Sequence, residues 1–348
     1  MKMIKIFTIF GLILTLFACD TKPTYSVKKY NGFENHLLDA KKTNNLLEFK
    51  KEEEIAKPVD KPVDKPDVIV HSKDETVKVS FNVQGNGNTY TGLNSLPSVT
   101  YTVKDPYNVE NLSTQSYSFS FGAASDGKPH NITVNNQKRF DSFGTNALAW
   151  DNKTNEKVLY LTFDCGYEYK NLTSLILDTL KEKGVSAAFF CTQSYLKSSP
   201  QVVTRMIMEG HIVGNHSVTH PSNCAALTKE ELAKELLGVH NYLRVNFGYQ
   251  SKYFRFPTGA YSESAINLVN SVGYRSIFWS IAHADWDPEN QPGVDVSFDT
   301  VTSRLHPGAV ILLHSTSPDN VEILGDFIDY ARNEGYVFKT LDEYNYFK

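Results

Sequence analysis

From residue 157 onward, short apolar runs alternate with longer amphipathic stretches, and this alternation restricts the chain to a small set of folds. Residues 158–163 are continuously apolar apart from one threonine, as expected of a strand buried on both faces. A helical pattern over 171–183 then stops at Gly184, residues 185–190 read as the next strand, and 200–209 as the next helix, with Pro200 at its start and Gly210 at its end. Residues 211–213 form a further strand, and Thr228-Lys229-Glu230-Glu231 is a capping box that opens a helix running to Phe247. Strands at 253–255, 274–279, 309–313 and 336–338 alternate with helices at 262–272, 296–304 and 319–333. Seven such βα units in about 190 residues predict an α/β fold with a parallel sheet, closed as a distorted (β/α)7-type barrel.

That architecture places chemistry at the carboxyl ends of the strands. Asp164, Cys165, His216, His220, Arg255, Asp285 and His314 all fall at or just after a predicted strand end. His216 and His220 are four residues apart, a spacing that on a helical turn puts both imidazoles on one face, able to share a metal ion.

The N-terminal third has a different character. Lys2 and Lys5 precede an apolar run over 6–17 that is short for a membrane span and ends in Leu16-Phe17-Ala18-Cys19. Residues 1–19 therefore read as an export signal of the bacterial lipoprotein kind, with Cys19 as the lipidation site. The expectation is an extracytoplasmic protein held at a membrane face by a lipid anchor. Residues 20–66 are polar and include a Lys-Pro-Val-Asp repeat that can neither continue a helix nor bury a core, so they read as a disordered tether. Residues 67–115 carry alternating apolar and polar stretches around a turn signal at 85–88 and predict a small β-rich module. Residues 116–149 read as an irregular lead-in packed on a catalytic domain over 150–348. A net charge of -4 with 21% charged residues gives no basic footprint, which sets nucleic-acid binding aside. Besides Cys19 there are Cys165, Cys191 and Cys224, an odd number that leaves at least one thiol unpaired; Cys191 with Cys224 is a candidate disulfide.

Five stretches, in order, resemble the motifs of the NodB-homology polysaccharide deacetylases, carbohydrate esterase family 4. They are Thr162-Phe163-Asp164-Cys165-Gly166, His216-Ser217-Val218-Thr219-His220, Arg255-Phe256-Pro257-Thr258-Gly259, Asp285-Trp286 and Leu312-Leu313-His314. The longer strings around Asp164, His216, Trp279 and His306-Pro307-Gly308 resemble the branch that deacetylates N-acetylmuramic acid in peptidoglycan on the way to muramic δ-lactam of the spore cortex.

The resemblance implies roles. His216 and His220 hold a divalent metal ion, zinc first among the candidates, with open positions for water and the acetyl oxygen. Asp164 is the general base, held ionised by Arg255. His314 is the general acid, oriented by Asp285, whose charge raises its pKa. The backbone N–H of Thr258 is the oxyanion donor beside Gly259, and Trp286 walls the acetyl pocket. Cys165, Phe256 and Thr258 depart from the commonest family pattern. Cys165 has three readings: a buried thiol beside a two-histidine ion, a third metal ligand, or a nucleophile activated by a histidine. The expected partners are peptidoglycan glycan strands and, through the anchor, a membrane. Alternatives are an N-acetylglucosamine deacetylase of peptidoglycan, or a glycan-binding protein without catalysis.

Overall fold

A computed structural model describes residues 68–70, 76–83, 86–94, 99–104, 117 and 127–347. The expected export signal, Cys19 and the tether lie outside the described residues. The first four strands, β1 (Val68–Val70), β2 (Thr76–Val83), β3 (Asn86–Asn94) and β4 (Val99–Lys104), form a sheet of order β1-β4-β2-β3. β2 and β3 are antiparallel with Val83 opposite Asn86, so Asn86 to Asn88 belong to a strand and not to the expected turn. β2 and β4 run parallel.

The expected irregular lead-in instead holds a helix and a strand of the main sheet. Helix α1 (Asn131–Phe143) is capped by the His130 Nδ1, which accepts the Ile132 N–H, and by Gly144 in the left-handed region. β5 (Ala147–Leu148) pairs with β10. The remaining strands are β6 (Val158–Cys165), β7 (Ala188–Cys191), β8 (Ile212–Asn215), β9 (Tyr253–Phe254), β10 (Arg275–Ile277), β11 (Ala309–His314) and β12 (Val337–Phe338). Their order is β11-β6-β7-β8-β9-β10-β5 with β12 on β6, and every pairing is parallel. Between the ends of this order, Ile281 bridges Ile311 in parallel and Trp150 bridges Ala309. The barrel is thus distorted, closed by bridges where a full strand pair would stand.

Seven helices follow α1: α2 (Leu172–Lys183), α3 (Gln193–Ser198), α4 (Pro200–Met208), α5 (Lys229–Phe247), α6 (Glu263–Ser271), α7 (Val294–Ser303) and α8 (Pro318–Asn333). The capping box at α5 is formed, with Thr228 and Glu231 bonding each other's backbone N–H groups.

All eight residues of β6 are buried, and they serve two different cores. Leu159, Leu161, Phe163 and Cys165 pack outward against Ile176, Leu177 and Leu180 of α2 and Phe327 and Ile328 of α8. Val158 and Tyr160 point the other way, into a barrel interior shared with Ala188, Phe190, Ile212, Tyr253, Ile277 and Val310. Alternation along the strand continues this inner face to Thr162 and Asp164. The interior is therefore apolar at the bottom and polar at the carboxyl ends, where a site can open.

One turn holds the closure together. Gly308 has φ 73°, its carbonyl accepts the Asp151 N–H at 2.9 Å, and a Cβ there would stand 2.3 Å from the Asp151 carbonyl oxygen. Gly308→Ala is expected to destabilise the fold by about 1–3 kcal/mol through this backbone clash and the left-handed φ, read as a lowered urea midpoint with unchanged slope.

Candidate active site

Asp164 ends the inner face of β6 and Arg255 follows β9, so the fold brings the carboxylate and the guanidinium together from strands 91 residues apart in sequence. Arg255 is fully buried. Its Nη1 donates to Asp164 Oδ1 at 2.9 Å, Nη2 to Thr162 Oγ1 at 2.8 Å and the Phe278 carbonyl at 3.1 Å, and Nε to the Ile277 carbonyl at 3.1 Å. The guanidinium carbon lies 4.2 Å from the Phe190 ring centroid. A buried charge survives only when paired and hydrogen-bonded, and here the guanidinium has a carboxylate partner and four hydrogen bonds. Burial pushes the Asp164 carboxyl up, but His216, Arg255 and His314 together bring it below the ordinary aspartate range. It is ionised at neutral pH.

His216 follows β8. Its Nδ1 lies 2.9 Å from the Arg255 carbonyl, an acceptor only, so Nδ1 carries the proton. Burial pushes the imidazole down to about 4, against the pull of Asp164, so the ring is neutral near pH 7 and its Nε2 bears a lone pair. That lone pair faces Asp164 Oδ2 at 3.4 Å. Two acceptors so placed call for a cation between or beside them.

His220 stands with its ring centroid 4.8 Å from that of His216, at an interplanar angle of 74°. The two histidines are close, but not by helical spacing. The segment after β8 is a loop in which Ser217 (φ 70°) and His220 (φ 54°) take left-handed backbone conformations. Glu235 of α5 holds it, accepting the Val218 and Thr219 N–H groups at 2.8 Å each and the Thr219 hydroxyl at 2.7 Å. Asn215 Oδ1 accepts the Ser217 N–H and Ser217 Oγ accepts the His220 N–H. The chemistry of the donors, two neighbouring imidazoles, suits a divalent ion held by the pair. Among the described residues no three or more His, Cys, Asp or Glu side chains are gathered closely enough to hold one between them.

Cys165 is not part of this set. Adjacent residues of a strand face opposite sides, and Cys165 packs in the outer core against the helices, level with Cys191 on β7. This removes both the third-ligand and the nucleophile readings. The candidate Cys191–Cys224 disulfide is also corrected: Cys165, Cys191 and Cys224 are all buried free thiols. Burial pushes the Cys191 thiol well up, with a hydrogen bond to Cys165 adding to the effect.

His314 ends β11, one strand from Asp164 and in register with it. Its Nδ1 is 2.7 Å from Asp285 Oδ1, and its backbone N–H donates to Asp285 Oδ2 at 2.8 Å. Asn320 of α8 donates from Nδ2 to the same Oδ2 at 2.6 Å and to the His314 carbonyl at 3.1 Å. Asp285 is fully buried, whereas 22% of the His314 side chain is exposed. Burial works against the imidazolium, but Asp285 outweighs it and lifts His314 above its ordinary value. Asp285 in turn, despite burial, is held below the aspartate range chiefly by His314.

Trp286 is 48% exposed with its ring centroid 6.2 Å from that of His314. Thr258 has φ 57° in the short turn Pro257–Gly259, and its hydroxyl donates to the Ser222 carbonyl at 2.8 Å, which ties this turn to the histidine loop. Thr162, Glu235 and Asn320 were not singled out from the sequence. Period-2 alternation two residues before Asp164 could have found Thr162; nothing local marks the other two.

The family model for polysaccharide deacetylase matches residues 151–277. A 30.6 kDa protein of Geobacillus stearothermophilus is 44% identical over 189 residues, covering 54% of this chain and 71% of its own length. The peptidoglycan-N-acetylmuramic acid deacetylase PdaA of Bacillus subtilis (strain 168) is 41% identical over 191 residues, covering 55% of this chain and 72% of its own. The chain belongs to the polysaccharide deacetylase family. The solved structure of PdaA, a family 4 carbohydrate esterase, superposes with a TM-score of 0.62 at 35% identity, over 66% of this chain and 97% of that one.

As a polysaccharide deacetylase the protein is an amide hydrolase, and such chemistry needs an acceptor for a proton of water and a donor for the leaving amine. The site holds one of each on neighbouring strands. Asp164 is an ionised carboxylate, and His314 is an imidazole whose charged form is stabilised by Asp285.

Proposed function

We propose that this deacetylase acts on peptidoglycan and hydrolyses the N-acetyl group of N-acetylmuramic acid. The observation that carries the reading is the pairing of opposites at the strand ends: Asp164 against the Arg255 guanidinium, and His314 against the Asp285 carboxylate, which favours its charged form. Glycan binding alone requires neither. The sugar is inferred from likeness to PdaA, whose name states that substrate.

In this mechanism Asp164 takes a proton from water as its oxygen attacks the acetyl carbonyl carbon. The Thr258 N–H stabilises the oxyanion. His314 gives its proton to the nitrogen as the C–N bond breaks, leaving acetate and the amine of the sugar. Trp286 and the exposed Thr258 frame the acetyl group. His216 and His220 would hold a divalent ion, which would supply Lewis acidity and lower the pKa of a bound water. Removal with a chelator is expected to abolish acetate release, and added zinc to restore it. The amine freed beside the lactyl carboxyl can then condense with it, the carboxyl C–O bond breaking and water leaving, to give muramic δ-lactam, consistent with a role in spore cortex. The export signal and Cys19 extend the proposal to a lipid-anchored, extracytoplasmic enzyme.

The test is mass analysis of the glycan of peptidoglycan lacking stem peptides after incubation with the protein. Muramic δ-lactam supports the reading, and free glucosamine would move it to an N-acetylglucosamine deacetylase.

The Asp285–His314 pair also sets a pH dependence. Because His314 acts protonated, kcat/KM falls as pH rises through its pKa, which Asp285 raises above the ordinary histidine value. Asp285→Asn removes the raising charge, so the alkaline limb is expected to move down by about 1 pH unit or more in a pH–rate profile.

A further inference from the structure

His283 lies two residues before Asp285 and is 6% exposed. Neither ring nitrogen has a hydrogen-bond partner. A buried imidazole without partners is unfavourable, and native structures rarely keep one without a reason. Its Nε2 stands 3.8 Å from Asp285 Oδ2, just beyond hydrogen-bonding range. The backbone fixes this relation, since the Asp285 N–H donates to the His283 carbonyl at 3.1 Å and Arg304 Nη1 holds the preceding Ala282 carbonyl at 2.6 Å. The charged and titratable groups at this corner are Asp285 on the same segment, His314 on β11 and Arg304 just after α7, while α8 contributes the neutral amide of Asn320.

We propose that His283 is a positioning residue for the general acid: its ring donates to the Asp285 carboxylate during the part of the cycle in which His314 has given up its proton. The inference rests on the deacetylase reading of His314. With His314 protonated, Asp285 has a cation at 2.7 Å and two further donors on Oδ2, and His283 stands off. Once the proton leaves for the amine, a fully buried carboxylate is left with only the neutral N–H donors of His314 and Asn320 bonded to it. A small rotation of the His283 ring adds a neutral N–H donor. That donor stabilises the state after proton transfer, which makes His314 a stronger acid than Asp285 alone would leave it. His283 need not touch the substrate to do this.

The test follows the His314 imidazole directly, by NMR titration of the full chain with labelled histidine, in wild type, His283→Phe and His283→Gln. Loss of the donor in His283→Phe is expected to raise the His314 midpoint by about 0.5–1 pH unit, with the alkaline limb of kcat/KM moving the same way and KM unchanged. The Gln amide can donate to Asp285, so His283→Gln is expected to stay near wild type. An unchanged midpoint in the Phe variant, or the same displacement in both variants, overturns the proposal. A displaced midpoint in a protein that releases no acetate from any glycan would overturn the functional reading and leave the His283–Asp285 linkage intact.

Discussion

The Asp164→Asn protein is expected to lose about 10²- to 10⁴-fold in kcat, with KM little changed. The substitution keeps the shape of the side chain and an oxygen that can accept from Arg255 Nη1, now at 2.9 Å. It removes the group that takes the proton from water. It also leaves the buried Arg255 charge without its counter-ion, so a loss of stability should accompany the loss of rate. In wild type, the Asp164 pKa is lower in the folded protein than in the unfolded chain. Its contribution to stability is therefore present above the unfolded value and is lost as pH falls through the folded one. Acid unfolding midpoints of the two proteins should differ accordingly, with the Asn variant less dependent on pH in that window.

Arg255→Leu should have the largest effect on stability. The guanidinium makes four hydrogen bonds inside the barrel, and its removal leaves Asp164 buried and unpaired and the Ile277 and Phe278 carbonyls and the Thr162 hydroxyl short of a donor. Breaking one side of a buried pair typically costs about 3–5 kcal/mol. Urea denaturation of Arg255→Leu should show a loss of that size. Adding Asp164→Leu should recover part of it, since the stranded carboxylate is then gone. If the double variant is as unstable as the sum of the two single ones, the two residues are not coupled and the geometry at this corner has been misread. Activity should be absent in both, because Asp164 loses its guanidinium partner in the single variant and is itself gone in the double one.

The barrel strands were legible because a strand buried on both faces must be apolar throughout, and residues 158–163 and 309–313 satisfy that. Asp164, Arg255, Asp285 and His314 were legible because polar groups at the ends of such runs stand out. Helix α1 was not, since NITVNNQKRFDSF buries only Thr133, Asn136, Gln137 and Phe140 and has no apolar stripe. β5 has two residues, and α3 six, too few for periodicity to register. The spacing of His216 and His220 suggested a helical turn, but the loop reaches the same proximity through two left-handed residues, which no helical pattern encodes. Cys165 misled for a different reason: its neighbour Asp164 faces the site, and the alternation that sends Asp164 inward necessarily sends Cys165 outward. That inference was available in the sequence. Asn320 and Glu235 act through hydrogen bonds across the fold, and only the fold brings them to the site.

The most direct measurement is acetate release from peptidoglycan freed of stem peptides, using the zinc-loaded protein and its Asp164→Asn variant. Acetate from the wild type, with one amine or lactam formed per acetate on muramic acid and none from the variant, is the predicted result. Tight glycan binding by both proteins with no acetate from either would contradict a catalytic Asp164 and reduce the site to a binding groove.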